Sequence, residues 1–392
     1  MSDSVDFQLI EDEAGLKSFY EENKSISWMS FDTEFIGEKR YYTLLCLIQV
    51  ATEHGLYIID PLKLRNLDLF LDFITNPDIL KITHAGDNDY RILNIMFGIL
   101  PQNVFDTQIA AGFMSHTYPI SFQKLVEKEV GMKIKKGYTV TDWESRPVKQ
   151  SQLTYALNDV IPLRELYDNI SQQLTDLNRQ AWAVDEMKNL ETAEYYEQDP
   201  YKEFLGSNMI FDLSVKEQVF LMRLLSWRRR EAERKNYSRE MILQTKLLGA
   251  IVKNINEGKG ALKDNRRIPD RTLVQHWDTF NDFYHAKITD EEREVLKKIP
   301  YGTELTLQQD LLLETLHLLI RYRCAETKIA PSLVTSKSVL KKIVADSTYH
   351  SKELETGWRR EWLGEDLLSW FKNCRPLQFQ MDGEKCVLSP EN

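Results

Sequence analysis

The stretch FDTEF, Phe31 to Phe35, places two acidic residues inside a run that otherwise has the composition of a buried strand. The letters ISW precede it at 26–28, and YYTLLCLIQV follows it at 41–50. Burying a carboxylate without a partner is costly, because the charged group loses its hydration. The stretch therefore predicts a strand whose two carboxylates are compensated by some other group.

The spacing of the two acids suggests what that group is. Residues i and i+2 of a strand share a face, so Asp32 and Glu34 point the same way while Phe31, Thr33 and Phe35 point into a core. Two adjacent carboxylates repel each other unless a proton or cation lies between them. Hard cations such as Mg²⁺ take carboxylate oxygens as ligands. The pattern is half of a metal site, or else an edge strand with two solvent-facing acids.

Strands and helices alternate through the first part of the chain. Strand patterns at 28–35, 42–51, 55–61, 79–85 and 104–107 are interleaved with helical patterns at 67–77, 86–98, 121–131 and 151–174. The last of these, SQLTYALNDVIPLRELYDNISQQL, reads as one long helix. Such alternation indicates an α/β domain, which we place at residues 1–172.

Strand patterns nearly vanish after that domain, and the remainder is predicted to be all-α. We expect a helical connector at 173–210, helical domains at 211–295 and 296–376, and a tail at 377–392. A capping-box pattern begins each domain, with Ser214 and Glu217 in the first and Thr306 and Gln309 in the second. At an offset of 93, five residues of the first recur as Arg321, Arg323, Ala325, Glu326 and Lys328. We interpret this as a repeat, although two Arg-rich helices can match by chance.

The composition is that of a soluble globular protein, with 42% hydrophobic residues and a net charge of −10. No apolar run reaches the ~18 residues of a membrane span, and the N-terminus MSDSVDFQLIEDE is too acidic for a signal peptide. The four cysteines are scattered without any CxxC pair, which favours a reducing cytoplasm. No GxxxxGK[ST] motif occurs, so ATP is not implied.

Positive charge is concentrated in one part of this acidic chain. Residues 223–271 contain 14 Lys/Arg and 6 Asp/Glu, a local balance of +8 that leaves −18 for the rest. The cationic helix at 226–240 is predicted to contact nucleic-acid phosphates, through Arg228, Arg229, Arg230, Arg234 and Lys235. The alternative is a surface helix that pairs its arginines with Glu231 and Glu233. Trp227 falls on the apolar stripe and is expected in the core.

Two further motifs carry acids. In HAGDNDYRIL, 84–93, both Asp87 and Asp89 fall in the first turn of a helix, where the helix dipole favours an acid in any case. In YALND, Tyr155 and Asp159 are four residues apart and share a helical face. The residues alone leave both Asp87 and Asp89 open as partners of the Asp-x-Glu strand.

The motifs FDTEF, HAGDND, TDWESRP and YALND, in that order and spacing, resemble the ribonuclease D family. That family belongs to the DEDD superfamily of 3′→5′ exonucleases, in the subgroup with a Tyr-x-x-x-Asp motif. The text between the motifs is also similar, as in IIDPL and LPQNVFDTQIAAGF. The helical repeats resemble the HRDC domain, and GWRREWLGEDLLSWF resembles the end of a second copy. The resemblance covers nearly the whole chain.

The resemblance implies an RNase H-like mixed sheet flanked by helices, followed by HRDC domains. It implies that Asp32, Glu34, Asp89 and Asp159 hold two divalent ions, Mg²⁺ or Mn²⁺, and its spacing favours Asp89 over Asp87. Tyr155 would orient the attacking water, because a phenol with a pKa near ~10 is a poor base at neutral pH.

The implied function is a 3′→5′ exoribonuclease that trims structured RNA, such as tRNA precursors, and releases nucleoside 5′-monophosphates. It would act as a cytoplasmic enzyme with RNA as partner, without membrane or ATP, and we favour a monomer. One alternative is a 3′→5′ DNA exonuclease with the same chemistry. Another is a non-catalytic RNA-binding scaffold, against which the intact acidic set argues.

Several conspicuous residues have two interpretations. Trp143 and Arg146 either contact the nucleic acid or lock the loop that presents the Tyr155 helix. His84, which ends a strand, is interpreted as a core or supporting residue and not as a base. The lysines Lys133, Lys135 and Lys136 precede Tyr138 in a loop that is either solvated or a flap that grips phosphate.

Overall fold

The computed structural model describes residues 5–134, 142–266, 268–299, 305–346 and 349–364, and the backbone of Leu377–Asp382 and Lys385–Pro390. The chain divides into two compact units. The first unit consists of residues 1–34, 45–196 and 304–392, and the second of residues 35–44 and 197–303. No helix among the described residues combines the length and apolarity needed to cross a membrane.

A six-stranded mixed sheet is the centre of the first unit. Its strands are β1 (Gln8–Ile10), β2 (Trp28–Ile36), β3 (Leu44–Thr52), β4 (Leu56–Ile59), β5 (Leu80–Thr83) and β6 (Val104–Asp106). They lie in the order β1-β4-β3-β2-β5-β6. β1 is parallel to β4, β2 to β5 and β5 to β6, whereas β3 is antiparallel to β4. The strand that carries FDTEF is thus an interior strand, as the mixed α/β prediction requires.

Helices cover the sheet. In the part of the chain that precedes the second unit's helices they are α1 (Glu13–Asn23), α2 (Asp68–Thr75), α3 (Asp87–Phe97), α4 (Thr107–Ala111), α5 (Phe122–Glu129), α6 (Gln150–Asn158), α7 (Leu163–Asp176), α8 (Gln180–Met187) and α9 (Ala193–Tyr196). Gly86 precedes α3 in a tight turn, where an added Cβ would lie 2.6 Å from the Thr83 hydroxyl. That turn sets where α3 starts, and therefore where Asp87 and Asp89 lie.

The predicted long helix at 151–174 is in fact two helices, α6 and α7. Pro162 is the reason, because proline lacks an N–H and disfavours helical geometry in the residue before it. α6 consequently ends at Asn158, and Asp159 occupies its C-cap position. The break places Asp159 at a helix end instead of inside a helix.

The second unit is helical. Its helices are α10 (Lys202–Leu205), α11 (Val215–Lys235), α12 (Arg239–Ile242), α13 (Thr245–Asn254), α14 (Lys259–Asp264), α15 (Asp270–His285) and α16 (Asp290–Lys297). Phe220, Leu224 and Trp227 of α11 are buried in one apolar core with residues of α13 and α15. The expectation that Trp227 is a core residue is confirmed.

A second helical set belongs to the first unit, with α17 (Leu307–Thr327), α18 (Pro331–Val334), α19 (Lys337–Ala345) and α20 (Lys352–Glu355). Both expected capping boxes form, at Ser214 and at Thr306. α17, α18 and α19 each begin 92 residues after α11, α12 and α13. The buried positions of α17 also match buried positions of α11 at 92. The predicted offset of 93 is therefore one residue too long.

The C-terminal segment differs from the expected tail. Strands β7 (Leu377–Asp382) and β8 (Lys385–Pro390) form an antiparallel pair. The sequence contains a signal for it, because Asp-Gly at 382–383 is a strong hairpin dipeptide. The prediction that strands end with the first domain was wrong at this point.

Candidate active site

β2 carries the first two acids of the site. Ligand oxygens of Asp32, Glu34 and Asp159 all lie within 4.8 Å of one another. The residues of β2 that were predicted to point into the core differ from the prediction in one respect. Phe31 and Thr33 are buried, but Phe35 is 38% exposed and is not a core residue. Because Asp159 follows the last residue of α6, the shared face of Asp32 and Glu34 is turned toward the end of that helix.

A hydrogen bond links β2 to the segment that holds Asp159. The hydroxyl of Ser30 donates to the carbonyl of Val160 over 3.1 Å, across 130 residues of sequence. Val160 directly follows Asp159, the C-cap of α6. This bond and the helix break at Pro162 bring Asp159 to the carboxylates of β2, whereas an uninterrupted helix would carry the chain past them.

The two candidate acids of α3 have different surroundings. Asp89 is 5% exposed, and its Oδ1 accepts a hydrogen bond from the Thr33 hydroxyl. Its charge acts on Asp32 and Glu34, although it is not part of the 4.8 Å group. Asp87 instead pairs with Arg91 over 2.9 Å, with 42% of its side chain exposed. The geometry favours Asp89 as the fourth carboxylate.

Burial raises the pKa of every acid in the cluster, and repulsion between the acids contributes for Asp32 and Glu34. Burial is the main cause of the raised pKa of Asp32, and the charges of Asp89, Asp159 and Glu34 add to it. The pKa of Glu34 rises to about 8, chiefly through burial. Burial also raises the pKa of Asp89 and of Asp159, each to about 7.

No lysine, arginine or histidine among the described residues forms an ion pair with these four acids. Four partly or fully buried carboxylates without a cation are unfavourable at neutral pH. Divalent cations with oxygen ligands would remove that penalty. The donor set, which consists of carboxylates alone, fits Mg²⁺ or Mn²⁺ and not a soft metal.

Tyr155 lies on α6 one turn before Asp159. Burial, with the charges of Asp159, Glu34 and Asp32, raises the pKa of its hydroxyl to about 12. The phenol therefore keeps its proton at neutral pH. Its ring stacks on Trp143 with centroids 6.3 Å apart and planes 30° apart. The stack restricts where the hydroxyl can point.

Arg146 holds the loop that carries Trp143. All five of its N–H groups are used: Nε and Nη2 donate to Asp60 over 2.6 and 2.8 Å, and Nη2 also donates to the carbonyl of Cys46. Nη1 donates to the carbonyls of Trp143 and Ser145 over 2.7 and 3.1 Å. Trp143 itself is 7% exposed. Of the two interpretations, loop locking fits both residues, and their predicted contact with nucleic acid does not.

Comparisons with known proteins agree with this geometry. A family model described as a 3′→5′ exonuclease matches residues 7–175. Ribonuclease D of Zymomonas mobilis is 31% identical over 376 residues, which cover 92% of this chain and 93% of that protein. Ribonuclease D of Bartonella henselae is 30% identical over 352 residues, which cover 87% and 84%.

The chain belongs to the ribonuclease D family.

Membership of the ribonuclease D family makes the chain a 3′→5′ exoribonuclease that acts on RNA, which confirms the predicted activity and fold class. The family is dependent on divalent metal ions, and the acidic cluster is consistent with that. Among solved structures, Escherichia coli RNase D has a TM-score of 0.80 at 23% identity and covers 93% of this chain and 98% of its own. The catalytic core of RRP6 from Trypanosoma brucei has a TM-score of 0.58 at 22% identity, covering 74% and 82%.

One predicted RNA contact of this ribonuclease D-family chain lies in the interior. Arg228 is 3% exposed. Its guanidinium pairs with Glu203, and also donates to the carbonyl of Leu243 over 2.8 Å and to the hydroxyl of Thr245. The prediction that Arg228 contacts nucleic acid was wrong, because a tertiary partner neutralises it inside the second unit.

The other predicted cations remain on the surface. Arg234 and Lys235 both pair with Glu231, which matches the alternative interpretation of the helix. Arg229 and Arg230 make no ion pair with the residues that the structure describes. The basic island at 223–271 also contains six exposed cations that were not predicted as individual contacts. They lie on α13, α14 and α15 and in the loop before α15, without an ion pair in the described part of the chain: Lys246, Lys253, Lys259, Lys263, Arg266 and Arg271.

The remaining candidates have structural roles or lie outside the described residues. The Nδ1 of His84 lies 3.0 Å from the Thr107 hydroxyl, and its Nε2 lies 3.1 Å from the carbonyl of Ile120. Burial lowers its pKa, so the neutral ring is favoured, and both ring nitrogens have protein partners, which fits the interpretation as a supporting residue. Lys133 is exposed, and the predicted flap residues Lys135, Lys136 and Tyr138 lie outside the described residues.

Proposed function

We propose that this exoribonuclease trims the 3′ ends of structured RNA, tRNA precursors in particular, by two-metal-ion hydrolysis that releases nucleoside 5′-monophosphates. The observation that carries the mechanism is the convergence of Asp32, Glu34 and Asp159 within 4.8 Å without a cationic partner among the described residues. The substrate class is supported by the fold, which is that of E. coli RNase D, an exoribonuclease involved in structured RNA processing.

Asp32, Glu34 and Asp159, together with Asp89, would hold the two divalent ions. When bound, two divalent ions supply an activated water and stabilise charge on the leaving 3′ oxygen. The chain's part is to hold four carboxylates in place against their mutual repulsion. Thr33 orients Asp89 by its hydrogen bond, and Ser30 anchors the segment of Asp159.

Tyr155 would orient the attacking water. Its hydroxyl stays protonated at neutral pH, because burial and the neighbouring carboxylates raise its pKa to about 12. It can therefore donate or accept a hydrogen bond but does not act as the base. The Trp143 ring restrains Tyr155, and Arg146 restrains Trp143. The Tyr155 hydroxyl would therefore point toward the attacking water in one direction.

The surface cations of the second unit would bind the body of the RNA. Arg229, Arg230, Arg234 and Lys235, together with the basic residues of α13 to α15, present positive charge of the kind that gives sequence-independent, salt-sensitive affinity for phosphates. Such contacts suit a substrate recognised through its backbone and shape.

We propose a monomer that needs no ATP and works in the cytoplasm. The cytoplasm is the compartment in which RNA precursors and reduced thiols coexist, and Cys46 and Cys324 are both free. Size-exclusion chromatography with light scattering would test the oligomeric state. A mass twice that of the 46.0 kDa chain would contradict the monomer.

A product analysis tests the mechanism and the substrate together. The protein is incubated with 3′-extended tRNA, single-stranded RNA and single-stranded DNA, each with Mg²⁺, Mn²⁺ or chelator. We expect shortening from the 3′ end, nucleoside 5′-monophosphate products, dependence on the metal and preference for RNA. Asp87→Asn is the matched control for Asp89→Asn, since both lie in the first turn of α3. Activity that survives chelation, or 5′-end shortening, would refute the proposal.

A further inference from the structure

A cavity of about 760 Å³ lies within the first unit. Its lining residues are different from those of the acidic cluster. One wall is the loop 115–118 that follows α4. The other wall is the C-terminal half of α17, from Leu318 to Lys328, with the first residues of α18. None of the residues assigned above to catalysis lines it.

The two walls are fixed to each other by the backbone. The N–H of Ser115 donates to the carbonyl of Lys328, and the N–H of Ala330 donates to the carbonyl of Gly112, both over 2.8 Å. The hydroxyl of Ser332 donates to the carbonyl of Tyr118. Because main-chain and side-chain bonds hold both sides, the cavity exists before any ligand arrives, which lowers the entropic cost of binding.

Two cations lie on the α17 side of this cavity. Arg321 lies in α17, Lys328 is the left-handed C-cap residue that follows the helix, and both line the cavity. Both are exposed, and neither forms an ion pair with a described residue. No acidic residue of the described part of the chain lines the cavity; Glu326 accepts from the Tyr322 hydroxyl over 2.8 Å, and Glu129 accepts from His116. The cavity therefore favours an anion.

His116 lines the opposite wall and has one unpartnered ring nitrogen. Its side chain is 9% exposed, and its Nε2 lies 2.7 Å from a carboxylate oxygen of Glu129. The Nδ1 atom is buried without a partner among the described residues. If Nε2 carries the proton toward Glu129, Nδ1 is an acceptor and needs a donor such as a hydroxyl. A buried acceptor without a donor costs free energy.

Aromatic and apolar groups complete the lining, with Tyr118 on one wall and Tyr322, Leu318 and Pro331 on the other. Tyrosine rings stack on bases, and arginine and lysine bind phosphate. We propose that this cavity binds a nucleoside phosphate, either one unit of a single-stranded RNA segment or a free nucleotide. The inference goes beyond the proposed function and rests on RNA being the substrate.

The test is a binding measurement on the full chain in chelator, so that hydrolysis does not interfere. The probes are a fluorescein-labelled single-stranded RNA, followed by anisotropy over a range of salt, and 5′-AMP, followed by calorimetry. The variant is Arg321→Gln with Lys328→Gln. The matched control is Lys341→Gln with Lys352→Gln, which removes the same charge from exposed positions on α19 and α20 that do not line the cavity.

We expect the cavity variant to bind at least one probe about threefold or more weakly, and the control to bind as the wild type does. If the RNA strand is the ligand, the slope of log affinity against log salt should fall by about 1.4, or roughly 0.7 for each lost phosphate contact. A selective loss of 5′-AMP binding would assign the cavity to the free nucleotide. Equal binding of both probes by wild type and cavity variant, or equal weakening in the control, would overturn the proposal.

The measurement separates this inference from the proposed mechanism. Binding in chelator does not require the acidic cluster to hold metal, so a wrong metal mechanism leaves the result intact. His116→Phe gives a second check, because it removes the Nδ1 acceptor while keeping a ring of similar size. Weaker binding of the probe that the first variant identified, with an unchanged melting temperature, would support the site. Unchanged binding would remove His116 from it.

Discussion

Asp60 and Asp32 are both carboxylates inside the same unit, yet the fold treats them in opposite ways. Asp60, 1% exposed at the end of β4, receives two N–H groups of Arg146 over 2.6 and 2.8 Å. Asp32 receives no cation from the described residues and instead has Glu34, Asp89 and Asp159 as charged neighbours. One acid is compensated from within the chain, and the other requires compensation from solution.

The difference distinguishes a structural charge from a functional one. A carboxylate bound to a guanidinium is already compensated in charge, and removing its partner leaves a buried charge. A group of carboxylates without a partner has raised pKa values and is available to a divalent cation. Burial of an acid alone does not reveal which of the two it is; the nearest positive charge does.

The largest expected effect is on turnover. Asp159→Asn should lower the rate of RNA hydrolysis by about 10³-fold or more, because the loss of several kcal/mol of metal-derived stabilisation corresponds to roughly that factor. Asp87→Asn is the control, as Asp87 pairs with Arg91 on the surface, and should retain turnover within about twofold. Single-turnover kinetics at saturating Mg²⁺ measure both. Comparable losses in the two variants would contradict the assignment.

The next effect is on stability and concerns the compensated acid. Arg146→Met should lower the free energy of unfolding by about 3–5 kcal/mol, since it leaves Asp60 buried and unpaired. The double variant Asp60→Leu with Arg146→Met should recover a large part of that loss, because neither charge remains. Urea denaturation followed by fluorescence measures both variants. A single variant as stable as the wild type would show that Asp60 is not held by Arg146.

A smaller effect is expected for Tyr155. Tyr155→Phe keeps the ring and its stack on Trp143 but removes the hydroxyl, so turnover should fall about 10- to 100-fold with little change in melting temperature. Tyr167→Phe is the matched control, because its ring packs on Phe105 and its hydroxyl lies in no described hydrogen bond. If Tyr155→Phe turns over RNA as fast as the wild type, the orienting role is wrong.

The smallest expected effect is a pH dependence of the metal-free protein. The folded-state pKa is raised to about 7 in Asp89 and Asp159 and to about 8 in Glu34, above the unfolded values near ~4. Between pH ~4 and ~8 the folded state therefore binds more protons than the unfolded state does. Its stability consequently falls as the pH rises through this range. We expect the melting temperature in chelator to drop by several degrees between pH 5 and 8.

Mg²⁺ provides the control for that pH dependence. Because the ion binds deprotonated carboxylates, its stabilising effect should grow with pH and should offset most of the drop at pH 8. Differential scanning calorimetry with and without Mg²⁺ gives the comparison. A melting temperature in chelator that rises steadily from pH 5 to 8 would mean that these acids are not the groups that control stability.

Local patterns predicted much of the fold. The strand periodicity of FDTEF and the capping boxes at Ser214 and Thr306 appear in the structure, because each depends on residues close in sequence. Two local signals were overlooked: Pro162 ends α6, and Asp-Gly at 382–383 precedes β8. Both features could have been predicted, because the residues that cause them are local in the sequence.

The burial of individual arginines and the register of the repeat could not be predicted from local patterns. Arg228 and Arg229 are neighbours in a cationic run, but only Arg228 turns inward to Glu203, 25 residues earlier. Matching the arginines of the two helices gave the repeat an offset of 93 residues. The buried positions of α11 and α17 instead match at an offset of 92 residues. Charge alone does not show which face of a helix packs, and packing partners distant in sequence make that choice.

By itself the sequence determined which chemical groups this chain possesses: the acids of β2, α3 and α6, the tyrosine one turn before Asp159, and an island of positive charge. Only the tertiary structure decided which of these charges are compensated. Asp60 meets Arg146 across 86 residues, whereas Asp32 meets other acids, and no spacing along the chain distinguishes the two. The physical reason is that electrostatic energy depends on distances in space, which folding sets through contacts between remote segments.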